Sequence, residues 1–100
     1  MDFKIVWTEP ALVDLENITG YIARHDPSAP GKMGAEILDH VEILASFPFI
    51  GPSYPRNSPG RNREIVCRNY RIFYRVIEDI KRVEILTVWH GARNEPNLPA

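Results

Sequence analysis

The stretch that decides the fold reads NYRIFYRV at positions 69–76, and VWHGAR follows it at positions 88–93 after a short acidic turn. Within the first run two sets of residues alternate: Arg71, Phe73 and Arg75 in one, Ile72, Tyr74 and Val76 in the other. This period of two predicts a half-buried strand with its guanidinium groups on one face. The second run predicts a last strand that ends on a histidine and an arginine.

Further strands are expected on both sides of the stretch at positions 69–76. The sequence predicts strands at positions 64–67, 70–77 and 83–89, with connections short enough for hairpins. A further short apolar strand is predicted at positions 4–7.

A first helix should begin directly after that N-terminal strand. Thr8 is a suitable N-cap, and Pro10 falls in the first turn, where a missing N–H costs nothing. Steps of three and four predict a core-facing stripe of Ala11, Leu15, Ile18 and Ile22, widened by Leu12 and Tyr21. Three polar residues are expected to face outward, namely Asp14, Glu16 and Asn17.

A second helix is predicted from the cap Asp26-Pro27, although Pro30 and Gly31 weaken its first turn. Its expected core stripe consists of Met33, Ile37, Val41 and Leu44, and it should end at Pro48. The acidic residues of both helices, including Glu36, Asp39 and Glu42, are interpreted as a solvated face.

The element order is therefore β-α-α-β-β-β in one domain that spans residues 1–100. It predicts an α+β fold in which a helical hairpin packs on one face of a largely antiparallel sheet. The proline- and glycine-rich segment 49–60 is predicted to be a loop, long enough to indicate either function or disorder.

Charge is distributed unevenly along the chain. The net charge is -1, but residues 1–50 hold three Lys or Arg against eight Asp or Glu, whereas residues 51–100 hold nine against five. Between Arg56 and Arg75 there are six arginines and one acid, Glu64. A solvated sheet face would explain such a block, but the planar fork of arginine favours a surface for an anionic partner.

Several classes of protein are disfavoured by composition. No apolar run approaches the roughly 20 residues that span a bilayer, and the first residues do not resemble a signal peptide, so a cytoplasmic protein without a membrane partner is expected. The single cysteine, Cys67, is interpreted as a core residue, with a reactive thiol as the alternative. No metal site and no cofactor are predicted.

Together with WTEPA at positions 7–11 and Asp14-Leu15, the two quoted runs resemble the RelE/ParE superfamily of toxins from type II toxin-antitoxin systems. The resemblance extends from about Phe3 to Arg93. It implies the same β-α-α-β-β-β fold and a cognate antitoxin, whose C-terminal segment wraps the toxin in a hetero-oligomer and offers acidic and apolar groups to a basic sheet. We expect five arginines to bind that partner: Arg61, Arg63, Arg68, Arg71 and Arg75.

One branch of this superfamily cuts messenger RNA in the ribosome. By resemblance, Arg71 would contact the phosphate, His90 would transfer protons and Arg93 would be a second arginine. However, some members carry a pair of lysines where this chain reads NRE at positions 62–64. Other members carry a base glutamate in the preceding loop, whereas segment 51–60 of this chain contains no acid. The aromatic residue after the histidine is replaced by Gly91. A general base is therefore missing from the predicted set.

The ParE branch, known from plasmid stabilisation, lacks the nuclease groups and poisons DNA gyrase by trapping it on cleaved DNA. The sequence resembles this branch more closely, so a gyrase-binding toxin is the preferred prediction. Arg71 would then pair with an acid across the sheet and His90 would cap the last strand. Four aromatic residues are expected to pack rather than to stack on bases: Tyr70, Phe73, Tyr74 and Trp89. A ribosome-dependent mRNA interferase and a non-toxic antitoxin-binding relative are the alternatives.

Overall fold

The computed structural model describes residues 2–25, 30–54 and 62–90, with the backbone alone for residues 21–25 and 30–32. The elements in chain order are β1 (Lys4–Trp7), α1 (Glu9–His25), α2 (Pro30–Ser46), β2 (Asn62–Cys67), β3 (Tyr70–Ile77), a 3₁₀ turn (Glu78–Ile80) and β4 (Arg82–His90). This order confirms the predicted β-α-α-β-β-β arrangement. Three strand boundaries differ from the prediction, since β2 begins at Asn62 and β4 runs from Arg82 to His90.

The four strands form one mixed sheet in the order β1-β4-β3-β2. The strands β2, β3 and β4 are antiparallel to their neighbours, whereas β1 lies parallel to β4 at the edge. The register of β3 against β4 shifts between Phe73 and Tyr74, which leaves Leu86 as the extra residue of a β-bulge. The sheet is thus largely antiparallel, as predicted.

Both helices pack on one face of this sheet. The helix-facing side of β3 consists of Ile72, Tyr74 and Val76, of which the first two are completely buried. The predicted stripe of α2 is confirmed, because Ile37, Val41 and Leu44 are buried in the same core and Met33 packs against it.

The stripe of α1 is partly confirmed and needs two corrections. Ala11 is fully buried, and Leu15 and Ile18 pack against the core. Leu12 is 46% exposed, so it does not widen the stripe. The side chains of Tyr21 and Ile22 lie outside the described residues.

The second correction concerns Asp14, which was expected to face outward. Its carboxylate instead accepts hydrogen bonds from the Thr87 hydroxyl and, at 3.1 Å, from the Val88 backbone N–H. The strand β1 ends at Trp7 opposite Ile85, so beyond that point none of the described strands pairs with β4 on this side. Asp14 therefore accepts a hydrogen bond from a backbone N–H of β4 that the short strand β1 does not reach.

Both helix starts differ in detail from the prediction. The Thr8 carbonyl accepts the first helical bond from Leu12 at 3.0 Å, as an N-cap does, but the Thr8 hydroxyl donates to the Ile85 carbonyl at 2.6 Å. This side chain ties the helix start to β4. The described part of α2 begins at Pro30 rather than at Pro27, which agrees with the preference of proline for a first helical position. Residues 26–29 lie outside the described ranges.

Residues 47–54, which we call the strap, cross the outer edge of β2. The Glu64 N–H donates to the Pro52 carbonyl at 3.1 Å, and the Tyr54 N–H donates to the Asn62 carbonyl at 2.9 Å. The Gly51 N–H donates to the buried Tyr74 hydroxyl at 3.0 Å. Burial raises the pKa of Tyr74, which keeps this hydroxyl neutral. The described part of the predicted loop 49–60 is thus attached to the sheet, and residues 55–60 lie outside the description.

The close approach at Gly51 gives a stability prediction. A Cβ there would overlap the Glu64 carbonyl oxygen and lie 2.8 Å from the Tyr74 hydroxyl oxygen. We expect Gly51→Ala to lower the free energy of unfolding by about 1–3 kcal/mol, because backbone must shift to admit the methyl group. Urea denaturation measures this loss.

Gly20→Ala is the matched control. Nothing lies within 4 Å of the added Cβ, and Gly20 is an exposed residue inside α1. This change should raise stability by up to about 1 kcal/mol through helix propensity. Equal stabilities of the two variants would contradict the packing of the strap on β2.

Candidate functional site: the open face of the sheet

The sheet face opposite the helices, which we call the open face, carries the charged side chains of β3. Since Ile72, Tyr74 and Val76 face the helices, Arg71, Phe73 and Arg75 face away from them. The cross-strand partners complete this face, with Glu64 opposite Phe73, Trp89 opposite Arg71 and Glu84 opposite Arg75. The predicted placement of these guanidinium groups on one face is confirmed.

An ion pair lies at the centre of the open face. The Arg71 Nε donates to the Glu64 carboxylate, and the two side chains are only 21% and 15% exposed. The predicted pairing of Arg71 with an acid across the sheet is confirmed. Because the pair is mostly withdrawn from water, removal of one partner would leave the other charge poorly solvated.

Aromatic rings surround this ion pair. The guanidinium carbon of Arg71 lies 5.0 Å from the ring centroid of Phe73 and 5.4 Å from that of Tyr54. The Tyr54 ring meets the Phe73 ring edge-on at 4.8 Å. Phe73 has no exposed surface, although neither of the two described α-helices covers this face. Tyr54 of the strap and Arg71 therefore act as its cover, with favourable cation–π contacts.

The rest of the open face is basic. Arg82 Nη2 lies 3.2 Å from the Glu84 carboxylate, next to Arg75 on the neighbouring strand. Among the described residues of the four strands, strand alternation places the following cations on this face: Lys4, Arg71, Arg75 and Arg82. Glu64 and Glu84 are the carboxylates there, so positive charge is in excess.

The five arginines predicted to bind a partner do not share one face. Arg71 and Arg75 lie on the open face, whereas Arg63 is opposite Tyr74 and lies on the helix-facing side. Arg68, in the turn after β2, pairs with Glu36 of α2. Arg61 lies outside the described residues. The role of this set in binding stays a prediction.

Two of the three residues predicted for a nuclease, Arg71 and His90, lie on opposite faces of the sheet. His90, the last residue of β4, is opposite Tyr70, whereas Arg71 is opposite Trp89. Neighbouring strand residues project to opposite faces, so His90 and Arg71 are directed away from each other. The His90 ring lies edge-on to the Tyr70 ring at 5.5 Å. Arg93 lies outside the described ranges.

The remaining predicted residues are accounted for by packing. Phe73 and Tyr74 are fully buried, Tyr70 packs against the core, and Trp89 is half-buried. Cys67 is also buried in the core cluster. Burial and the nearby Glu36 carboxylate raise the pKa of the Cys67 thiol, which disfavours the reactive thiolate.

Two residues of the site had no assigned role in the sequence interpretation. Glu64 could have been recognised as the single acid among six arginines. Tyr54 could not, because its place on the open face depends on the path of the strap. No cluster of three His, Cys, Asp or Glu that could hold a metal ion occurs in the described part of the chain. No described helix is long and apolar enough to cross a membrane.

Comparisons with known proteins agree on one group of relatives. Residues 5–95 match the model of the family described as ParE toxin of type II toxin-antitoxin system, parDE. The putative toxin Y4kP of Sinorhizobium fredii is 38% identical over 100 residues, covering 95% of both chains. The toxin RelE2 of Caulobacter vibrioides is 33% identical over 91 residues, covering 90% of this chain and 97% of the relative.

A solved structure shares the fold. The toxin-antitoxin complex RelBE2 from Mycobacterium tuberculosis contains a chain that superposes with a TM-score of 0.69 at 21% identity. The match covers 90% of this chain and 99% of the other. The helical hairpin on one face of a four-stranded sheet is thus the architecture of these toxins.

The ion pair of the open face can be tested by a double-mutant cycle. Glu64→Gln and Arg71→Gln should each destabilise the fold, and the pair should show a coupling energy of about 1–3 kcal/mol, as expected for interacting, mostly buried groups. Urea denaturation of the wild type, both single variants and the double variant gives this energy.

The exposed pair Glu36 and Arg68 is the control, with side chains 40% and 62% exposed. Its coupling should be smaller and should disappear at high salt, because water and ions screen it. If the coupling energy between Glu64 and Arg71 were as small and as salt-sensitive as that between Glu36 and Arg68, the ion pair would not organise the open face.

Proposed function

The chain belongs to the ParE toxin family of type II toxin-antitoxin systems, and we propose that it arrests growth by binding DNA gyrase rather than by cutting RNA. The observation that carries the proposal is the separation of Arg71 from His90 by the thickness of the sheet. RNA cleavage needs a proton-transfer group and a charge-stabilising group at the same phosphate.

The state of Arg71 supports the same proposal. Its guanidinium is paired with Glu64 and lies against the rings of Tyr54 and Phe73, which is a structural role. An arginine that stabilises a transition state must direct its charge at the substrate. Here a large part of that charge is already neutralised within the fold. The interferase alternative would need Arg71, His90 and Arg93 to act together.

We place target binding on the open face. Its excess of positive charge and the half-buried Trp89 offer electrostatic attraction and an apolar contact in one area. A gyrase complex that holds cleaved DNA presents the negative charge that such a face needs. Action on gyrase would take place in the cytoplasm.

An antitoxin is the second partner in this proposal. The solved relative RelBE2 is a toxin-antitoxin complex, which supports a partner of this class. The arginines predicted to meet it fall into two groups, one on the open face and one beside the helices. Arg63 and Arg68 belong to the second group, so antitoxin and target need not compete for the same side chains.

The target is tested by expressing the chain without an antitoxin. We expect DNA synthesis to fall first, with induction of the DNA-damage response and filamentous cells, because trapped gyrase leaves broken DNA. Pulse labelling of DNA and protein in the first minutes measures the order of events. An early collapse of protein synthesis with cuts in messenger RNA would instead identify an interferase. Unimpaired growth at full expression would identify a non-toxic relative.

His90→Ala separates binding from catalysis. If the chain acts by binding gyrase, the variant should keep its toxicity as long as its melting temperature is unchanged. Loss of a proton-transfer group would reduce the rate of a nuclease by roughly a hundredfold to ten-thousandfold. A folded, antitoxin-binding but non-toxic His90→Ala protein would therefore overturn the proposal.

A further inference from the structure

Three cations of the open face lie at the end of the sheet next to the 3₁₀ turn. Lys4 of β1 is the register partner of Arg82 of β4, and Arg75 of β3 is opposite Glu84, two residues further along β4. Neighbouring strands lie about 4.8 Å apart and two residues span about 7 Å, so the backbone positions of these cations fit within about 12 Å. We call Lys4, Arg75 and Arg82 the basic corner.

The basic corner has positive charge in excess. Glu84 lies 3.2 Å from Arg82 Nη2, whereas the Arg82 Nε has no hydrogen-bond partner among the described residues. Lys4 is exposed and forms no ion pair within the described ranges. Two further exposed carboxylates, Glu78 and Asp79, belong to the 3₁₀ turn at the strand ends and limit the positive potential to the face itself. Three cations against one carboxylate on the face favour an anionic partner.

The spacing and the chemistry of the basic corner fit phosphate groups. One strand of duplex DNA advances about 3.4 Å per nucleotide, so about 12 Å corresponds to three or four phosphates. An arginine fork donates two parallel hydrogen bonds to a phosphate, and a lysine adds a compact positive charge. A short run of the DNA backbone therefore matches the number of cations and their kind.

The aromatic rings of the open face are poorly placed to stack on bases. Phe73 is fully buried, and Tyr54, which covers it, is buried as well. Trp89 is half-buried. Proteins bind single-stranded nucleic acids largely through bases that stack on exposed aromatic rings, whereas they bind duplex DNA mainly through its phosphates. The face therefore suits a double helix better than a single strand.

Composition distinguishes duplex DNA from an acidic protein as the partner. The centres of protein–protein interfaces are depleted of charged residues, whereas protein–DNA interfaces are polar and rich in positive charge. The register places two apolar residues beside the basic corner, Val6 opposite Glu84 and Ile77 opposite Arg82. Charged side chains outnumber them, which favours DNA.

We propose that the basic corner binds the sugar-phosphate backbone of duplex DNA. Because phosphates carry no sequence information, this contact is independent of base sequence. The setting, a DNA segment held by gyrase, rests on the proposed function, and there the chain touches the DNA itself as well as the enzyme. The affinity for duplex DNA rests on the face alone. A dissociation constant on the order of 10–100 µM is expected at low salt, as for non-specific binding.

The contact is measured by fluorescence anisotropy with the purified full-length chain and a labelled duplex of about 20 base pairs over a salt series. Three phosphate contacts predict that the logarithm of the association constant falls with the logarithm of salt concentration at a slope of about −2.7. Arg82→Gln should reduce this slope by about 0.9 and weaken binding roughly tenfold at about 50 mM salt.

Arg68→Gln is the matched control. It removes the same charge and likewise separates a glutamate from its ion-pair partner, but Arg68 lies in the turn after β2 and pairs with Glu36 of α2. This variant should keep the wild-type slope and affinity. Equal losses for Arg82→Gln and Arg68→Gln, or no saturable binding by the wild type at about 50 mM salt, would overturn the DNA contact.

A gain of binding provides a second measurement that misfolding cannot imitate. Glu84→Gln removes the carboxylate that competes with phosphate for Arg82, so it should tighten DNA binding several-fold. Weaker or unchanged binding by a folded Glu84→Gln protein would contradict the proposal. Tighter binding of the wild type to a single-stranded RNA of equal length would replace the duplex by RNA.

Trapping of cleaved DNA by purified gyrase separates this inference from the proposed function. Arg82→Gln should need a several-fold higher concentration than the wild type to trap cleaved DNA, and Arg68→Gln should act like the wild type. Trapping that is unaffected by Arg82→Gln would overturn the role of the DNA contact and leave the action on gyrase intact. A wild-type chain that binds duplex DNA but does not trap gyrase would overturn the proposed function and leave the DNA-binding surface in place.

Discussion

The two described α-helices cover the same face of the sheet, and the organisation of the other face follows from this constraint. Phe73 must project to the open face because Ile72 and Tyr74 occupy the core. It is nevertheless fully buried, since Tyr54 and Arg71 cover it. The cover includes a cation, and that cation requires the nearby carboxylate of Glu64. An arginine that resembles a catalytic group is therefore explained by the packing of a phenylalanine.

The strap connects the two sides of the sheet. At one end Ile50 lies beside the helix-facing edge and Phe49 lies against Arg63, and at the other end Tyr54 contacts Phe73 on the open face. Gly51 sits between them, held by the hydroxyl of Tyr74 and the side chain of Arg63. The strap thus contacts residues on both faces of the sheet.

The sequence predicted the order of elements and the stripe of α2 correctly, because both depend on local periodicity. It placed Asp14 wrongly, since the partners of that carboxylate lie 73 and 74 residues further along the chain. The division of the arginines could have been predicted from the turn. A two-residue connection at Arg68 and Asn69 fixes Cys67 opposite Tyr70, and counting back places Arg63 opposite Tyr74. No local sequence pattern of this kind predicts that Tyr54 covers Phe73.

The parallel pairing of β1 with β4 joins the two ends of the described chain. The Thr8 hydroxyl bonds to a carbonyl 77 residues away, and β4 is the strand partner of β1 among the described residues. During synthesis, the first strand has no partner until the last strand has left the ribosome. Contacts between such distant residues form slowly, because a long loop must close before they become favourable. The N-terminal strand and the helix that follows it consequently complete their packing only after translation has passed His90, so the two ends of the described chain are joined last.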